Sequence, residues 1–309
     1  MKYNHTCNLC SADNWKEIFK IRDYLTESDQ LFSLLRCMNC GLHITYPQPS
    51  ASEIEQYYPD EYFTYTNQSL RIPQSTFIQK LKRVFGDRYH YFPPPSMTIG
   101  NAFEIGCFNG ANLIVLQNLG WEVSGIDINK NAIEFAQTKL GLNVRLGDFQ
   151  QTDIPKNSFD LVQAMMVMEH LYDVKKALEK ISIIIKTGGL FIFNVPNHRS
   201  VERRIFGKRW FAYDIPRHLF HYDVHSLSKY LEQAGFSIEK VYYQKVPYSI
   251  IRSLHDIVKE KYGNSKLGKR IAGWLSNDSR SAFAFFYPFS FVLSLFNTSG
   301  RMVIHSRKN

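Results

Sequence analysis

Between residues 99 and 195 the chain alternates short apolar runs with longer segments of mixed polarity. Phe103 to Ile105, Val123 to Ile126, Asn143 to Leu146, Phe159 to Ala164 and Leu190 to Val195 read as strands. Before the last of these, Val174, Ala177, Leu178, Ile181 and Ile185 fall on one face of a helix, and Gly188-Gly189 ends that pattern. This βαβαβ rhythm predicts a parallel sheet with right-handed crossovers. Upstream, Trp15 to Ile21 and Phe32 to Arg36 read as two further strands. Downstream, Asp223 reads as the N-cap of a helix that ends near Gly235.

The turns between the runs supply candidate chemistry. Phe103-Glu104-Ile105-Gly106-Cys107-Phe108-Asn109-Gly110 puts a carboxylate and two glycines at the carboxyl end of the first strand, and Asp127 closes the next. An acid in that place accepts hydrogen bonds from ribose hydroxyls in nucleotide-binding α/β folds. The dinucleotide fingerprint has glycine where this chain has Phe108, a side chain that would crowd a pyrophosphate. A ligand with ribose and adenine but no phosphate, such as S-adenosylmethionine (SAM), fits better. Asp148-Phe149, after the third strand, could hydrogen-bond an adenine amine and stack on its ring. A packing turn without a ligand is the plain alternative.

The run from about residue 99 to 244, with the last strand, resembles the class I SAM-dependent methyltransferases. The resemblance is carried by Phe103-Glu104-Ile105-Gly106, Gly125-Ile126-Asp127, Gly147-Asp148-Phe149, Phe159-Asp160-Leu161-Val162, Met168-Glu169-His170-Leu171 and Gly188-Gly189. It implies a Rossmann-like α/β sheet, mostly parallel with an antiparallel last strand. Ser237 to Gln244 would be its sixth strand and Arg301 to Ser306 its seventh, with residues 245–300 inserted between them. It also implies that Glu104 holds the methionine amino group and that Asp127 binds the ribose. Gly106 and Gly110 would shape the turn against the ligand, Asp148 and Phe149 would hold adenine, and Met165 would line the cofactor.

Composition narrows the class. The chain has 309 residues and 44% hydrophobic content, enough for one α/β domain and a smaller module. Met1 to Cys10 is polar and lacks an apolar signal segment, so the expected location is cytoplasmic or peripheral to the inner face of a membrane. A net charge of +9 admits anionic partners. Four of the five cysteines pair as Cys7/Cys10 and Cys37/Cys40, two knuckles whose thiolates can close a tetrahedral structural Zn²⁺ site. Buried free cysteines are the alternative. This half is similar to the N-terminal half of zinc-ribbon methyltransferases, including sugar C-methyltransferases and relatives tied to bacterial surface glycans. The expected organisation is a ribbon at 1–63, a linking segment at 64–98 with a basic helix from Phe77 to Phe85, and a methyltransferase domain at 99–309. Tyr57, Tyr58 and Tyr62 either line a substrate cleft or pack the ribbon onto that domain.

The segment from Phe206 to Tyr222 reads as a long loop rich in aromatics, His and Arg, and loops of this length are usually functional. His218 and His221 are the first candidates for a base that takes an acceptor proton, and His170 the next. Arg217 could grip a substrate phosphate or carboxylate. The bland reading is that these histidines tie the loop to the core and that Glu169-His170 caps a helix. The insert is basic, then aromatic from Ala282 to Phe296 with Pro288 interrupting it. It is either a lid or, through residues 245–296, a membrane or lipid contact. The expected reaction is methyl transfer to O or C of a small-molecule acceptor: a sugar, sugar nucleotide, glycan or lipid-linked intermediate. RNA methylation is a rival, opposed by the acidic stretch from Glu53 to Glu61 and the lack of an Asn/Asp-Pro-Pro-Phe/Tyr motif. A non-catalytic scaffold is another, opposed by Glu104, Asp127 and Asp148.

Overall fold

The computed structural model describes residues 3–26, 29–58, 90–276 and 279–309. The stretch from Pro59 to Phe63 and the expected helix from Phe77 to Phe85 lie outside the described residues. In chain order the strands are β1 (Trp15–Arg22), β2 (Leu31–Cys37), β3 (His43–Tyr46), β4 (Asn101–Ile105), β5 (Glu122–Asp127), β6 (Val144–Leu146), β7 (Phe159–Met165), β8 (Ile185–Pro196), β9 (Phe220–His221), β10 (Phe236–Tyr243) and β11 (Arg301–Lys308). The helices are α1 (Ala111–Asn118), α2 (Lys130–Leu140), α3 (Val174–Ile184), α4 (Val201–Phe206), α5 (Val224–Gln233), α6 (Tyr248–Tyr262), α7 (Lys266–Trp274) and α8 (Arg280–Leu295).

Seven strands form one sheet in the order β10-β11-β8-β7-β4-β5-β6. β6 through β8 run parallel, and β11 is antiparallel to both of its neighbours. Leu190 to Phe193 and Val195 are wholly buried, because helices cover both faces of a parallel sheet and leave no polar side. The predicted stripe on α3 faces the core through Val174, Ala177, Leu178 and Ile181, with Ile184 in place of the expected Ile185. Ile185 and Gly188-Gly189 already belong to β8, which starts earlier than the apolar run suggests. Local chemistry sets the helix ends. The Asn129 side chain accepts from Ala132 N–H at the start of α2, Asp173 accepts from Lys176 N–H at α3, and Asp223 forms a reciprocal capping box with Ser226 at α5. Glu169 and His170 therefore do not cap α3; they sit in a separate 3₁₀ turn, Met168–His170. Pro288 does not interrupt α8. Its missing N–H would have bonded the carbonyl of Ala284, which lies on the exposed side where water can take it.

The four-stranded sheet β1-β2-β3-β9 makes the ribbon, and its last strand comes from the loop between α4 and α5. His43 pairs with His221 and Ile44 with Phe220. Cys7, Leu9, Leu35, Leu42 and Ile44 share one buried cluster with Phe103, Ile105, Val162 and Phe193 of the large sheet. Asn8, inside the first knuckle, donates to Asp173 at the head of α3 and accepts from Tyr230 on α5.

Arg217 joins the two parts most firmly. It is 2% exposed, donates twice to Asp23 at 2.9 and 2.7 Å, once to Asp214 at 2.8 Å and once to the carbonyl of Tyr57 at 2.6 Å. A buried charge stripped of its partner destabilises by about 3–5 kcal/mol, whereas an exposed pair contributes about 0–1 kcal/mol. Asp23→Ala should therefore lower stability in urea denaturation by about 3–5 kcal/mol. Lys20→Ala, at the exposed Lys20–Glu17 pair, should stay within about 1 kcal/mol of the parent.

Candidate functional site

The strand order reverses between β4 and β7, and the crevice beyond their carboxyl ends is where open α/β sheets hold ligands. Glu104, Gly106, Phe108, Gly110, Asp127 and Met165 gather at this edge. Glu104 projects from the penultimate position of β4 and is 1% exposed. One carboxylate oxygen accepts from Asn112 Nδ2 at 2.7 Å; the other is buried with no partner. Burial pushes its pKa up to about 8, against the Asn112 hydrogen bond, with Asp127 adding to the rise.

Asp127 closes β5 and organises the turn. Its carboxylate accepts from the backbone N–H of Phe108 and of Asn129, each at 2.7 Å. Burial raises its pKa while these donors oppose the rise. The Phe108 contact holds that residue at φ 44°, a left-handed conformation that suits glycine and costs other residues about 1–2 kcal/mol. At Gly106, φ is 67° and an added Cβ would lie 2.5 Å from Val167 Cγ2, so backbone is kept bare where β4 meets the crevice. Gly110 opens α1 at φ 77°.

The remaining expected cofactor residues flank this turn. Asp148 is exposed and accepts from Gln150 N–H at 2.7 Å. Phe149 is enclosed in the main core with Lys180 Nζ 5.2 Å from its ring centre. Met165 is half-buried at the end of β7, and the next residue, Met166, is held by a 2.7 Å bond from its N–H to Asn194 Oδ1 on β8.

Past Met166 the chain turns under the loop from Phe206 to Tyr222, and a second cluster forms. Glu169 is fully buried with neither carboxylate oxygen partnered, and burial pushes its pKa up to about 7. His170 and His218 meet edge to face at 4.7 Å. His170 Nδ1 lies 3.0 Å from the carbonyl of Arg217, and His218 Nδ1 lies 3.0 Å from that of Ala212. A carbonyl only accepts, so Nδ1 carries the proton in each ring and Nε2 keeps the lone pair. Burial lowers both pKa values and keeps both rings neutral. One donor atom from each of Glu169, His170 and His218 lies within 4.8 Å of the others, a set that can share a proton or hold a cation.

His221 stands apart from this pair. Its Nε2 is 3.0 Å from Thr45 Oγ1, whose own proton goes to the carbonyl of His218 at 2.6 Å. It belongs with His43 and His198, which face each other at 3.9 Å across the ribbon seam. Arg217 is not open to a substrate, since Asp23, Asp214 and Tyr57 occupy its guanidinium. The tyrosines after the knuckles divide. Tyr57 is buried against Phe32, while the Tyr58 hydroxyl reaches His170 Nδ1 at 3.1 Å. At the ribbon, Cys7 Sγ lies 3.6 Å from Cys40 Sγ and Cys10 Sγ 3.6 Å from Cys37 Sγ. A tetrahedron with metal–sulfur bonds of about 2.3 Å has edges of about 3.8 Å. These two separations are close to that length, and all four sulfurs lie within 4.8 Å of one another.

A family model described as a methyltransferase domain matches residues 77–241. A probable S-adenosylmethionine-dependent methyltransferase of Mycolicibacterium smegmatis is 25% identical over 143 residues, 45% of this chain and 52% of that protein. A ubiquinone biosynthesis O-methyltransferase of Bradyrhizobium diazoefficiens is 30% identical over 121 residues, 37% of this chain and 47% of that protein. The chain thus spans about half the length of the curated relatives it matches. The crystal structure of the cyclase SpnF superposes with a TM-score of 0.52 at 18% identity, over 85% of this chain and 98% of that one. That likeness is one of fold. The large sheet is the Rossmann-like α/β arrangement of class I methyltransferases, and the four-cysteine cluster fits a small ribbon beside it.

The two buried carboxyls make stability depend on pH. Below about pH 4.5, the ordinary value, folded and unfolded chains both hold the Glu104 proton and its contribution is complete. From there to about pH 8 the unfolded chain has released that proton and the folded one has not. Stability therefore falls as pH rises, by about 1.4 kcal/mol per unit for one such group. Glu169 acts in the same direction up to about pH 7. The buried, neutral histidines slope the other way up to about pH 6.5, so the checkable quantity is the difference from the parent. As pH rises from about 6.5 to 8, the denaturation midpoint of Glu104→Gln should gain on that of the parent protein, and that of Glu169→Gln should do so up to about pH 7. A difference from the parent that does not change with pH would mean that the substituted carboxyl is not buried as described.

Proposed function

The chain belongs to the methyltransferase-domain family, and we propose that it uses SAM to methylate an oxygen or carbon of a small-molecule acceptor. One observation carries this reading. Glu104 presents an enclosed, unpartnered carboxylate oxygen at the sheet's switch point, beside a bare glycine turn. A carboxyl in that state is suited to a cation, and the amino group of SAM is one. Asp127 keeps a lone pair on each oxygen for ribose hydroxyls, Met165 borders the same crevice, and Asp148 and Phe149 are assigned to the adenine end. SAM would supply an electrophilic methyl group on a sulfonium.

This chain's residues then handle the acceptor proton. Methyl transfer needs aligned reactants, and a hydroxyl or acidic carbon needs a base. Glu169, with its carboxyl near neutrality, joins His170 and His218 as the group that takes this proton. The tautomers set by the carbonyls of Arg217 and Ala212 leave both Nε2 atoms able to accept. The ubiquinone-pathway O-methyltransferase among the relatives supports a small acceptor, and the ribbon resemblance supports a sugar, glycan or lipid-linked intermediate. We assign a structural Zn²⁺ to Cys7, Cys10, Cys37 and Cys40. A closed four-sulfur site has no open position for chemistry.

Calorimetric titration with SAM tests the reading. Binding should draw the proton off Glu104, so affinity should rise with pH up to about 8 and then level. Glu104→Gln should weaken binding and remove that slope. Asp127→Ala should weaken binding by about tenfold or more, the scale of one charge-assisted hydrogen bond. Absence of any SAM heat in the parent protein would overturn the assignment. Metal analysis should return about one zinc per chain; folded, metal-free protein would remove zinc from the account.

A further inference from the structure

The insert between β10 and β11 ends in a surface the proposed reaction leaves unused. α8 has sixteen residues and one charge, Arg280, at its first position. Phe285, Phe289, Val292 and Phe296 are 68, 44, 46 and 74% exposed. Their spacing of four, three and four residues puts them within about 60° of one another around the helix. The other side of α8 packs inward through Ala282, Ser290 and Leu293. α7 repeats the design: Leu267, Ile271 and Trp274 are exposed at the same helical spacing. The Trp274 ring meets Phe285 edge to face at 5.7 Å, which joins the two stripes into one apolar face.

A helix on a protein surface ordinarily turns charge to water, and a continuous exposed apolar face marks something that covers it. The charge beside this one points to the cover. Lys266 and Arg270 flank the α7 stripe, and Arg280 stands at the head of α8. The acids of α6 are already engaged, Asp256 with Arg252 and Glu260 with Arg209. The border of the face is therefore net positive. Among the described residues no helix is long and apolar enough to cross a membrane, so a membrane contact by this face would lie along the bilayer.

We propose that the α7–α8 face docks in the plane of an anionic lipid bilayer. Phe285, Phe289 and Phe296 enter the acyl boundary, and Lys266 and Arg270 meet the headgroups with their stems along the apolar surface. The docking does not depend on which group is transferred, or on whether SAM binds.

The test uses the full chain and vesicles of phosphatidylcholine alone or with phosphatidylglycerol. Co-sedimentation with the anionic vesicles is expected, with a blue shift of tryptophan emission. Binding should weaken about tenfold or more in Phe285→Ser/Phe289→Ser, because each ring loses its apolar burial. It should also weaken in Lys266→Gln/Arg270→Gln and at high salt. Both pairs are exposed, so thermal melts should match the parent protein. Failure to bind anionic vesicles would overturn the proposal. So would a concentration-dependent dimer abolished by Phe285→Ser/Phe289→Ser, which would give this face to a second copy of the chain.

Discussion

Arg217 fixes the geometry of both halves. Its guanidinium is locked onto Asp23 in the ribbon and onto Asp214 in its own loop. Its carbonyl, on the same residue, sets the tautomer of His170. Moving the side chain would unseat the ribbon, and moving the backbone would turn the imidazole. The geometry is well enough satisfied to repay the desolvation of a buried arginine, since its donors meet two carboxylates and a carbonyl. Leu219 N–H to the carbonyl of Glu169 and Thr45 N–H to the carbonyl of Leu219 continue the same seam. The candidate catalytic cluster is thus held by the ribbon as much as by the large sheet.

The enclosed carboxyls have the opposite character. Glu104 and Glu169 sit without donors on three of their four oxygens, and burial favours their protonated forms. Unsatisfied polar groups of this kind cluster where a protein has work to do. Phe108 belongs with them: its left-handed backbone is a local strain held by the Asp127 carboxylate. The stable seam around Arg217 and the strained turn around Asp127 lie on either side of the segment from Met165 to His170. The rigid side can therefore aim the uncomfortable one.

Much of this was legible in the sequence because it is local or periodic. The five strands, the α3 stripe, the Asp223 cap and the glycine turn follow from residues close in the chain. The cysteine pairs were legible because two Cys-x-x-Cys units have few other uses. What stayed hidden was long-range. Nothing near Arg217 in sequence announces Asp23 as its partner, so a free guanidinium read as a substrate clamp. β9 is two residues long and looks like loop until β3 lies beside it. Glu169 read as a cap because a carboxylate before a helix usually is one, and only burial on every side distinguishes it. The α8 face was visible as composition, but which of its aromatics face outward depended on where the helix packs.

The pairing of β3 with β9 also has a consequence in time. The ribbon's first three strands leave the ribosome before the large sheet, yet its sheet is closed by residues synthesised far later: Thr45 and His221 are 176 positions apart, and Arg217 and Asp23 are 194. At about 5–20 residues per second the N-terminal sheet waits roughly ten to forty seconds for its fourth strand. During that interval β3 is an open edge on the nascent chain. The knuckle cysteines bracket β1 and β2 and need nothing downstream, so a metal there would hold the early sheet in register until its last strand arrives.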